Sequence, residues 1–306
     1  MSQRSSRPPP TAAQRRLAVG GALVAMLIYG AQFPASRYSV QHGLDAYNLV
    51  ALRFVGAAIL LLPVLLRAGI RDLGGIGWRR GITIALLAGA PYTLLMLGGL
   101  HFAPAGHAAL FNPGTVMVLG TVLGALVLRE RLGPARVLGI AAVAVGFLLV
   151  ALPGWQAGEG VWRGDLLFIA SGLSWANFLL LMRSWSLPPL IAAAVIAVLS
   201  TLVTPLYLAF AQPITVSMLH VALQAVNQGL LNGLVAMALF ANTARTLGPA
   251  VASLFPPMVP VLGTALAMAT LDEWPSPLQA VGFAVALAGM ITAALAASGL
   301  AFRRTG

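Results

Sequence analysis

The stretch VLGTVLGALVLRERLGP covers Val118–Pro134, and a second stretch, VLGTALAMATLDEWPSP, covers Val261–Pro277. Both begin with the same four residues and both carry a Glu and a Pro at matching places. Over 118–146 and 261–289, a shift of 143 positions aligns eleven identical pairs in twenty-nine. Because this shift is close to half of the 306 residues, the sequence predicts an internal duplication of the fold.

The composition distinguishes a membrane protein from a soluble one. Hydrophobic residues make up 59% of the chain and charged residues 8%, whereas a soluble domain carries about 25% charged residues. The chain is therefore predicted to be an all-α integral membrane protein. It has no Cys, which excludes disulfides and thiolate metal sites, and we expect no metal and no cofactor. The net charge of +11 comes from Arg residues between apolar blocks, so we expect no nucleic-acid partner.

Apolar blocks of about 20 residues predict ten transmembrane helices. These predicted spans cover roughly 17–36, 46–66, 81–100, 108–128, 135–153, 164–184, 188–211, 217–241, 247–271 and 278–300. We predict that residues 1–16 form a cytoplasmic, disordered tail, because they are rich in Arg, Ser and Pro.

The Arg residues give the orientation of the predicted spans. With ten spans, fifteen of the eighteen Arg residues fall on the side that holds both termini. Arg37 and Arg163 fall on the other side, and Arg53 falls inside a span. The positive-inside rule then predicts that both termini lie in the cytoplasm. We expect the protein to lie in the cell inner membrane.

Five spans per half make the two copies opposite in orientation, because an odd number of crossings reverses the second copy. The sequence predicts a first repeat at 17–153 and a second at 164–301. Inverted repeats are typical of secondary transporters, where a site near the midplane opens to either face in turn. We therefore expect two exchangeable gates around one central pathway.

Several motifs resemble the EamA-type ten-helix branch of the drug/metabolite transporter superfamily. They are YGAQF in the first span (Tyr29–Phe33), RF in the second (53–54), SWAN in the sixth (Ser174–Asn177) and the repeated block. Within that branch the chain is similar to YddG-type exporters of amino acids and related metabolites. It departs from the family at Tyr29, where Trp is frequent, and in the second block, which reads DEWPSP. The resemblance implies an exporter.

The Glu and the Pro that recur in both blocks lie at predicted membrane edges. For Glu130 and Glu273 we favour a structural role, in which the carboxylate binds backbone N–H groups or a nearby Arg, over a contact with substrate. Pro134 and Pro277 suit the first turn of the next helix, where a missing N–H costs nothing. Glycines of both blocks are expected to allow close helix packing; they are Gly120, Gly124, Gly139, Gly146, Gly263, Gly282 and Gly289.

Prolines fall inside the matching fourth and ninth spans. Pro113 in NPG aligns with Pro256 in PPMVP, which also contains Pro257 and Pro260. Proline removes a backbone hydrogen bond and kinks a helix. We hypothesise that these kinks line the pathway and act as hinges, although kinks that serve packing alone fit the pattern equally well.

A stripe of amides marks the eighth span. Gln224, Asn227, Gln228 and Asn232 fall on one face of an α-helix and are predicted to face the bundle interior. They form either interhelical hydrogen bonds or a hydrated substrate cavity. Plausible neighbours in that cavity, taken from other spans, are Tyr92, Asn112, Trp175 and Asn177.

Arg53 lies inside its span, about 10 Å from the edge at 1.5 Å per residue. It could bind a substrate carboxylate, extend outward to water, or pair with carbonyls, and a structural role is favoured. No Asp or Glu falls in the middle of a predicted span, which disfavours a proton-coupled site for cations. A small neutral or zwitterionic metabolite is the predicted substrate, carried with weak ion coupling or none.

Other function classes fit less well. The sequence has no catalytic motif of an intramembrane enzyme and no P-loop for ATP hydrolysis, so we expect no enzyme. A channel would need repeated charged rings along its pore, which the spans do not carry. The remaining alternative is a proton-coupled multidrug exporter of cationic or aromatic drugs. We expect the chain to act as a monomer, with the lipid bilayer and a small-molecule substrate as its partners.

Overall fold

The structure is a computed structural model that describes residues 10–127, 129, 132–157 and 160–298. Every regular element within these ranges is helical. The elements in the first half are α1 (Ala12–Gln41), α2 (Ala46–Ala68), α3 (Trp78–Ala88), α4 (Ala90–Gly99), α5 (Ala105–Val127) and α6 (Pro134–Gln156). The second half contains α7 (Val161–Ser184), α8 (Pro189–Leu202), α9 (Thr204–Leu208), α10 (Met218–Ala225), a π-helical segment (Val226–Val235), α11 (Ala236–Leu247), α12 (Pro249–Ala252), α13 (Met258–Leu271) and α14 (Pro277–Ser298).

In the described part of the chain, eight helical stretches are long and apolar enough to cross a membrane. Two shorter apolar helices, α8 and α13, lie at the places predicted for the seventh and ninth spans. The prediction of an all-α, multi-pass membrane protein is thus confirmed. Ten full crossings and the orientation of the termini stay predictions.

Several spans predicted as continuous helices are interrupted, and each interruption has a local cause. The span at 81–100 breaks at Gly89, just before Pro91 in the first turn of α4. The N–H of Ala90 at this break donates to the Ser200 hydroxyl of α8 over 3.1 Å. Such a partner is needed because lipid supplies none. The span at 247–271 breaks at Pro256–Pro257, in the turn between α12 and α13.

Hydrogen bonds between residues distant in sequence identify the two ends of the helix bundle. At one end, the Asp45 carboxylate accepts the N–H of Gln212 at 2.6 Å. Glu273, after α13, bonds Arg37 near the end of α1 at the same end. At the opposite end, the Thr243 hydroxyl of α11 donates to the carbonyl of Ala18 in α1 at 2.9 Å.

Glycines of the duplicated block form the most extensive helix contact, between α6 and α14. A Cβ added at Gly146 would lie 2.6 Å from the Gly282 carbonyl oxygen, and one added at Gly289 would lie 2.5 Å from the Gly139 carbonyl oxygen. Gly139 thus pairs with Gly289 and Gly146 with Gly282, in antiparallel order. The shift of 143 positions converts one pair into the other, as a twofold axis between the helices would.

Other helix pairs repeat when the halves are exchanged. Helix α5 packs on α7, and α1 packs on α13. Helix α2 packs on α8, the corresponding element of the second half. Of these helices, α1, α2, α5 and α7 contribute residues to the candidate site.

Candidate functional site

Two amides of the predicted polar stripe bind α1. Gln224 donates from Nε2 to the Ala35 carbonyl at 2.9 Å, and Gln228 donates from Nε2 to the Ser36 hydroxyl at 2.8 Å. Both glutamines are buried, Gln228 completely. The side chains therefore face the protein interior and join the first half of the chain to the second.

The other two amides bond within the continuous helical stretch Met218–Leu247, which joins α10, the π-helical segment and α11. Asn227 donates to Gln224 Oε1 at 3.2 Å, and Asn232 donates to the carbonyl and the side-chain oxygen of Asn227, at 2.8 and 3.1 Å. The five-residue separation of this second pair follows from the π-helical winding, whose bonds join residues i and i+5. The sequence analysis assumed an α-helix here, which was wrong for Val226–Val235. Single π-helical turns occur frequently at functional sites.

A second polar group surrounds Arg53 of α2. Its guanidinium lies near enough to the phenol groups of Tyr29 and Tyr92 for electrostatic interaction. The Tyr92 ring in turn packs against Trp175, with ring centroids 4.9 Å apart. Four helices, α1, α2, α4 and α7, thus contribute to this group.

Asn112 of α5 extends the Arg53 group. It is buried, donates to the Ser171 hydroxyl at 2.7 Å and lies beside the Tyr92 hydroxyl. Asn177, predicted as a further neighbour, donates instead to the Leu173 carbonyl of its own helix at 2.8 Å. The structure therefore brings Tyr92, Asn112 and Trp175 together with Arg53, and no described contact brings Asn177 to them.

Helix α2 packs closely against the π-helical segment that carries three of the amides. The π-helical segment contacts α2 at Gly229, where an added Cβ would lie 3.5 Å from Gly56 Cα and 3.6 Å from the Leu52 carbonyl. This approach is possible because both helices carry glycine at the contact. Leu52 precedes Arg53, so this contact packs the backbone next to Arg53 on the π-helical segment, while the Arg53 guanidinium interacts with Tyr29 and Tyr92.

Eight buried side-chain atoms of the described residues have no hydrogen-bond partner. Four belong to Arg53, Gln32, Gln228 and Asn232, and the other four belong to Thr93, Thr115, Asp165 and Thr264. Among the described residues, Arg53 Nη1 has no acceptor, and no donor reaches the side-chain oxygens of Gln32, Gln228 and Asn232. The ion pairs of the described chain involve Glu273 and Asp165, and neither includes Arg53. Unsatisfied buried groups each cost about 1–3 kcal/mol. We refer to Arg53, Gln32, Gln228 and Asn232 as the open polar cluster.

Glu273 lies away from this cluster and ties one end of the bundle together. One carboxylate oxygen accepts from Arg37 Nε at 3.0 Å, and the other accepts the N–H of Ala105, the first residue of α5, at 2.7 Å. Arg37 also donates to the Leu100 carbonyl. We name Arg37, Glu273 and Ala105 the latch and this end of the bundle the latch end. The predicted counterpart, Glu130, lies outside the described residues.

The predicted hinge prolines lie in unlike surroundings. Helix α5 continues through Pro113, whereas Pro256 and Pro257 occupy the turn between α12 and α13. Pro260 is buried in the first turn of α13. The ninth span is therefore broken rather than kinked. Pro134 and Pro277 begin α6 and α14, at the position where proline is best tolerated.

Sequence reasoning missed a buried acid at the latch end. Asp165 of α7, 1% exposed, accepts a 2.7 Å hydrogen bond from Nδ1 of His107, which is 3% exposed. The sequence placed both residues near water, because each lies within a few positions of a predicted span edge. Their distance along the chain hides the pairing, which only the packing of α5 on α7 creates.

A groove of about 470 Å³ opens at the latch end and is separate from the open polar cluster. Its lining includes Asp45, Tyr47, Leu94, Phe102 and Phe210. None of the predicted cavity residues lines this groove.

Comparison with known proteins gives one family. A model of the EamA-like transporter family matches residues 16–152 and again 162–295. An uncharacterized protein of Pseudomonas aeruginosa is 31% identical over 174 residues, which span 56% of this chain and 58% of that protein. A solved crystal structure with 21% identity superposes with a TM-score of 0.60 over 95% of this chain and 99% of its own. This last likeness concerns the fold alone.

Proposed function

Since the chain belongs to the EamA-like transporter family, we propose that it is a secondary transporter of small neutral or zwitterionic metabolites such as amino acids. It works by alternating access and exports its substrate, as YddG-type exporters do. It crosses the cell inner membrane ten times, acts as a monomer and keeps both termini in the cytoplasm.

Two inverted repeats, 17–153 and 164–301, form the transport machinery of this proposal. Its support is the exchange symmetry of the helix pairs, above all the crossing of Gly139 and Gly146 with Gly289 and Gly282. Two equivalent packings of one bundle provide two conformations, each open to one face. The latch holds one of these faces closed.

The open polar cluster is the observation that supports the proposed substrate class. Arg53 presents a donor without a partner, and Gln32, Gln228 and Asn232 present acceptors without partners. An amino acid supplies the complement of both, because its carboxylate accepts from a guanidinium and its ammonium group donates to amide oxygens. Binding such a ligand would satisfy groups whose burial otherwise costs free energy.

Arg53 is the residue on which recognition of the carboxylate rests. Arg residues inside a membrane are costly, and they mark functional sites unless a partner satisfies them. Loss of one hydrogen bond to a charged group costs about 1.5–3 kcal/mol, or roughly tenfold to a hundredfold in affinity. We therefore place Arg53 in the substrate site, a role that the sequence analysis considered but did not favour.

The aromatic side chains next to Arg53 suggest what the rest of the substrate is like. Tyr92 and Trp175 lie 4.9 Å apart, and Phe178 lies 5.0 Å from Trp175. These rings offer an apolar wall for the side chain of an amino acid. The same wall is the feature that favours the alternative, a proton-coupled exporter of cationic or aromatic drugs.

Counterflow in proteoliposomes tests the proposal. Purified protein is reconstituted with unlabelled amino acids inside, and entry of a labelled panel of amino acids and drugs is followed with and without a pH gradient. The proposal predicts saturable entry of amino acids and no additional accumulation when a pH gradient is imposed. Accumulation of a cationic drug driven by the pH gradient, without an amino-acid signal, would instead support the alternative.

The role of Arg53 is tested by one substitution at Arg53 and the same substitution at a control Arg. Arg53→Gln is expected to reduce amino-acid counterflow at least tenfold. Arg245→Gln makes the same chemical change at an exposed position in the last turn of α11 and is expected to leave counterflow unchanged. Equal effects of the two substitutions would remove Arg53 from the substrate site.

A further inference from the structure

The buried pair His107–Asp165 at the latch end has a hydrogen-bond pattern that identifies the donor at each nitrogen of the imidazole ring. Asp165 Oδ1 accepts from His107 Nδ1 at 2.7 Å, and Asp165 Oδ2 is buried with no partner among the described residues. On the other side of the ring, His107 Nε2 lies 3.1 Å from Nε2 of Gln279 in α14. The pair thus joins α5, α7 and α14.

Gln279 determines which groups donate. Its Oε1 accepts the N–H of Ser276 at 2.8 Å, and its Nε2 also approaches the Val150 carbonyl at 3.3 Å. The amide nitrogen must therefore be the donor toward His107 Nε2, which accepts. His107 is then neutral, with its single ring proton on Nδ1 and directed at Asp165.

A proton added from water would disrupt this arrangement. Protonated His107 carries an N–H on both ring nitrogens, so its Nε2–H would face the N–H of Gln279. The amide could turn its oxygen toward the ring only by releasing the Ser276 N–H. Ser276 and Gln279 hold the start of α14 reciprocally, since the Ser276 hydroxyl accepts the Gln279 N–H at 3.3 Å. Protonation therefore loosens the first turn of α14.

That first turn is connected directly to the latch. Glu273 lies three residues before Ser276, and its carboxylate holds the N–H of Ala105, two residues before His107. The charged or titratable groups around the imidazole are Asp165 from α7, and Glu273 with its partner Arg37 beyond the start of α5. Helix α14 presents the Gln279 amide and α6 the Val150 carbonyl, both uncharged.

We infer that His107, held by Asp165 and Gln279, is a proton-binding site whose occupancy releases the Glu273 latch. Histidine is the side chain whose charge ordinarily changes between about pH 5 and 8, and this sets the pH range of the test. The proton opens the latch end and changes the rate of transport. The importance of this opening for transport rests on the proposed function, whereas proton binding and the movement do not.

Distance measurement on the purified protein tests the inference without any substrate. The chain has no Cys, so Gln41→Cys and Leu278→Cys introduce two unique spin-label sites, both exposed, on α1 and α14 at the latch end. Electron paramagnetic resonance then gives the label-to-label distance in liposomes at several pH values. We expect a longer-distance population to grow as the pH falls from about 8 to 5, and this response to vanish in His107→Gln.

Control variants separate His107 from other acid-sensitive groups. His101→Gln alters an exposed histidine at the same end and should keep the full response. Asp165→Asn is the second test variant, should His107→Gln fail to fold, and is expected to abolish or strongly shift the response. A response that persists at the same pH and amplitude in either folded variant places the proton elsewhere, on Glu273 first, and overturns the inference. Absence of any pH response in the parent protein overturns it as well, whatever the transport assays give.

Discussion

The crossing of α6 and α14 makes a steric prediction with an internal control. In Gly146→Ala, the new Cβ would lie 2.6 Å from Ala286 Cβ, 2.6 Å from the Gly282 carbonyl oxygen and 2.7 Å from the Ala286 nitrogen. Restoring a carbon–carbon separation of about 3.5 Å requires the helices to move apart by about 1 Å. Two of the three clashes involve backbone atoms, which cannot turn away as a side chain can. Overpacking of this kind costs about 1–3 kcal/mol.

Gly120→Ala makes the same chemical change where space is open. No heavy atom lies within 4 Å of the Cβ that would be added at Gly120 in α5. This variant should be neutral or more stable by up to about 1 kcal/mol, because Ala favours the helix over Gly. The same gain applies to Gly146→Ala, so the difference between the two variants isolates the steric cost.

Thermal unfolding in detergent at one fixed scan rate measures that difference. We expect Gly146→Ala to lower the apparent Tm by roughly 5 °C, at a few degrees per kcal/mol. The apparent Tm of Gly120→Ala should stay at or above that of the parent protein. Equal apparent Tm values for the two variants would refute the close packing of α6 on α14.

Three further substitutions test other parts of the account. Glu273→Gln removes the ion pair with Arg37, so the longer-distance population in the spin-label experiment should appear already at neutral pH; a distance unchanged from the parent would contradict the latch. Pro256→Ala combined with Pro257→Ala should slow counterflow if the break before α13 acts as a hinge, and unchanged counterflow excludes that role. Gln228→Leu should raise the half-saturating amino-acid concentration about tenfold by removing one acceptor; an unchanged value would remove Gln228 from the site.

Much of the helical plan could be predicted from the sequence, because apolar length is what a bilayer demands of a chain. The interruptions could not. A Pro in an apolar block predicts a lost hydrogen bond, as Pro91 does next to Gly89, but it does not reveal that the hydroxyl of Ser200, distant in sequence, accepts the freed N–H of Ala90. The π-helical segment, which packs against α1 and α2, likewise has no signature in the residue pattern.

Two glycines at equivalent positions of the repeat show that the repeat does not predict how closely each one is packed. Gly120 and Gly263 occupy equivalent places in the two copies. A Cβ at Gly263 would lie 2.6 Å from Ala109 Cβ, whereas a Cβ at Gly120 would meet nothing within 4 Å. Equivalent residues thus lie in a closed contact in one half and an open one in the other. This asymmetry is what the proposed alternating-access mechanism predicts for a transporter in one of its two conformations.

The candidate site was predicted in part. The amide stripe could be read from spacing, and Arg53 from its position within a span. Gln32 of α1 was missed because a single Gln in an apolar helix carries no pattern. Asp165 and His107 were missed because their burial comes from a contact between α5 and α7 that spacing cannot reveal.

Competition between matched ligands tests the central claim, that Arg53 holds the carboxylate of a zwitterionic substrate. Counterflow of a labelled amino acid would be inhibited by the unlabelled amino acid and, separately, by the amine that lacks only its carboxylate. In the parent protein, the amine should inhibit about tenfold to a hundredfold more weakly than the amino acid. In Arg53→Gln, the two should inhibit nearly equally, because the group that distinguishes them is gone. The same ratio in both proteins would contradict the account, since the carboxylate would then be recognised without Arg53.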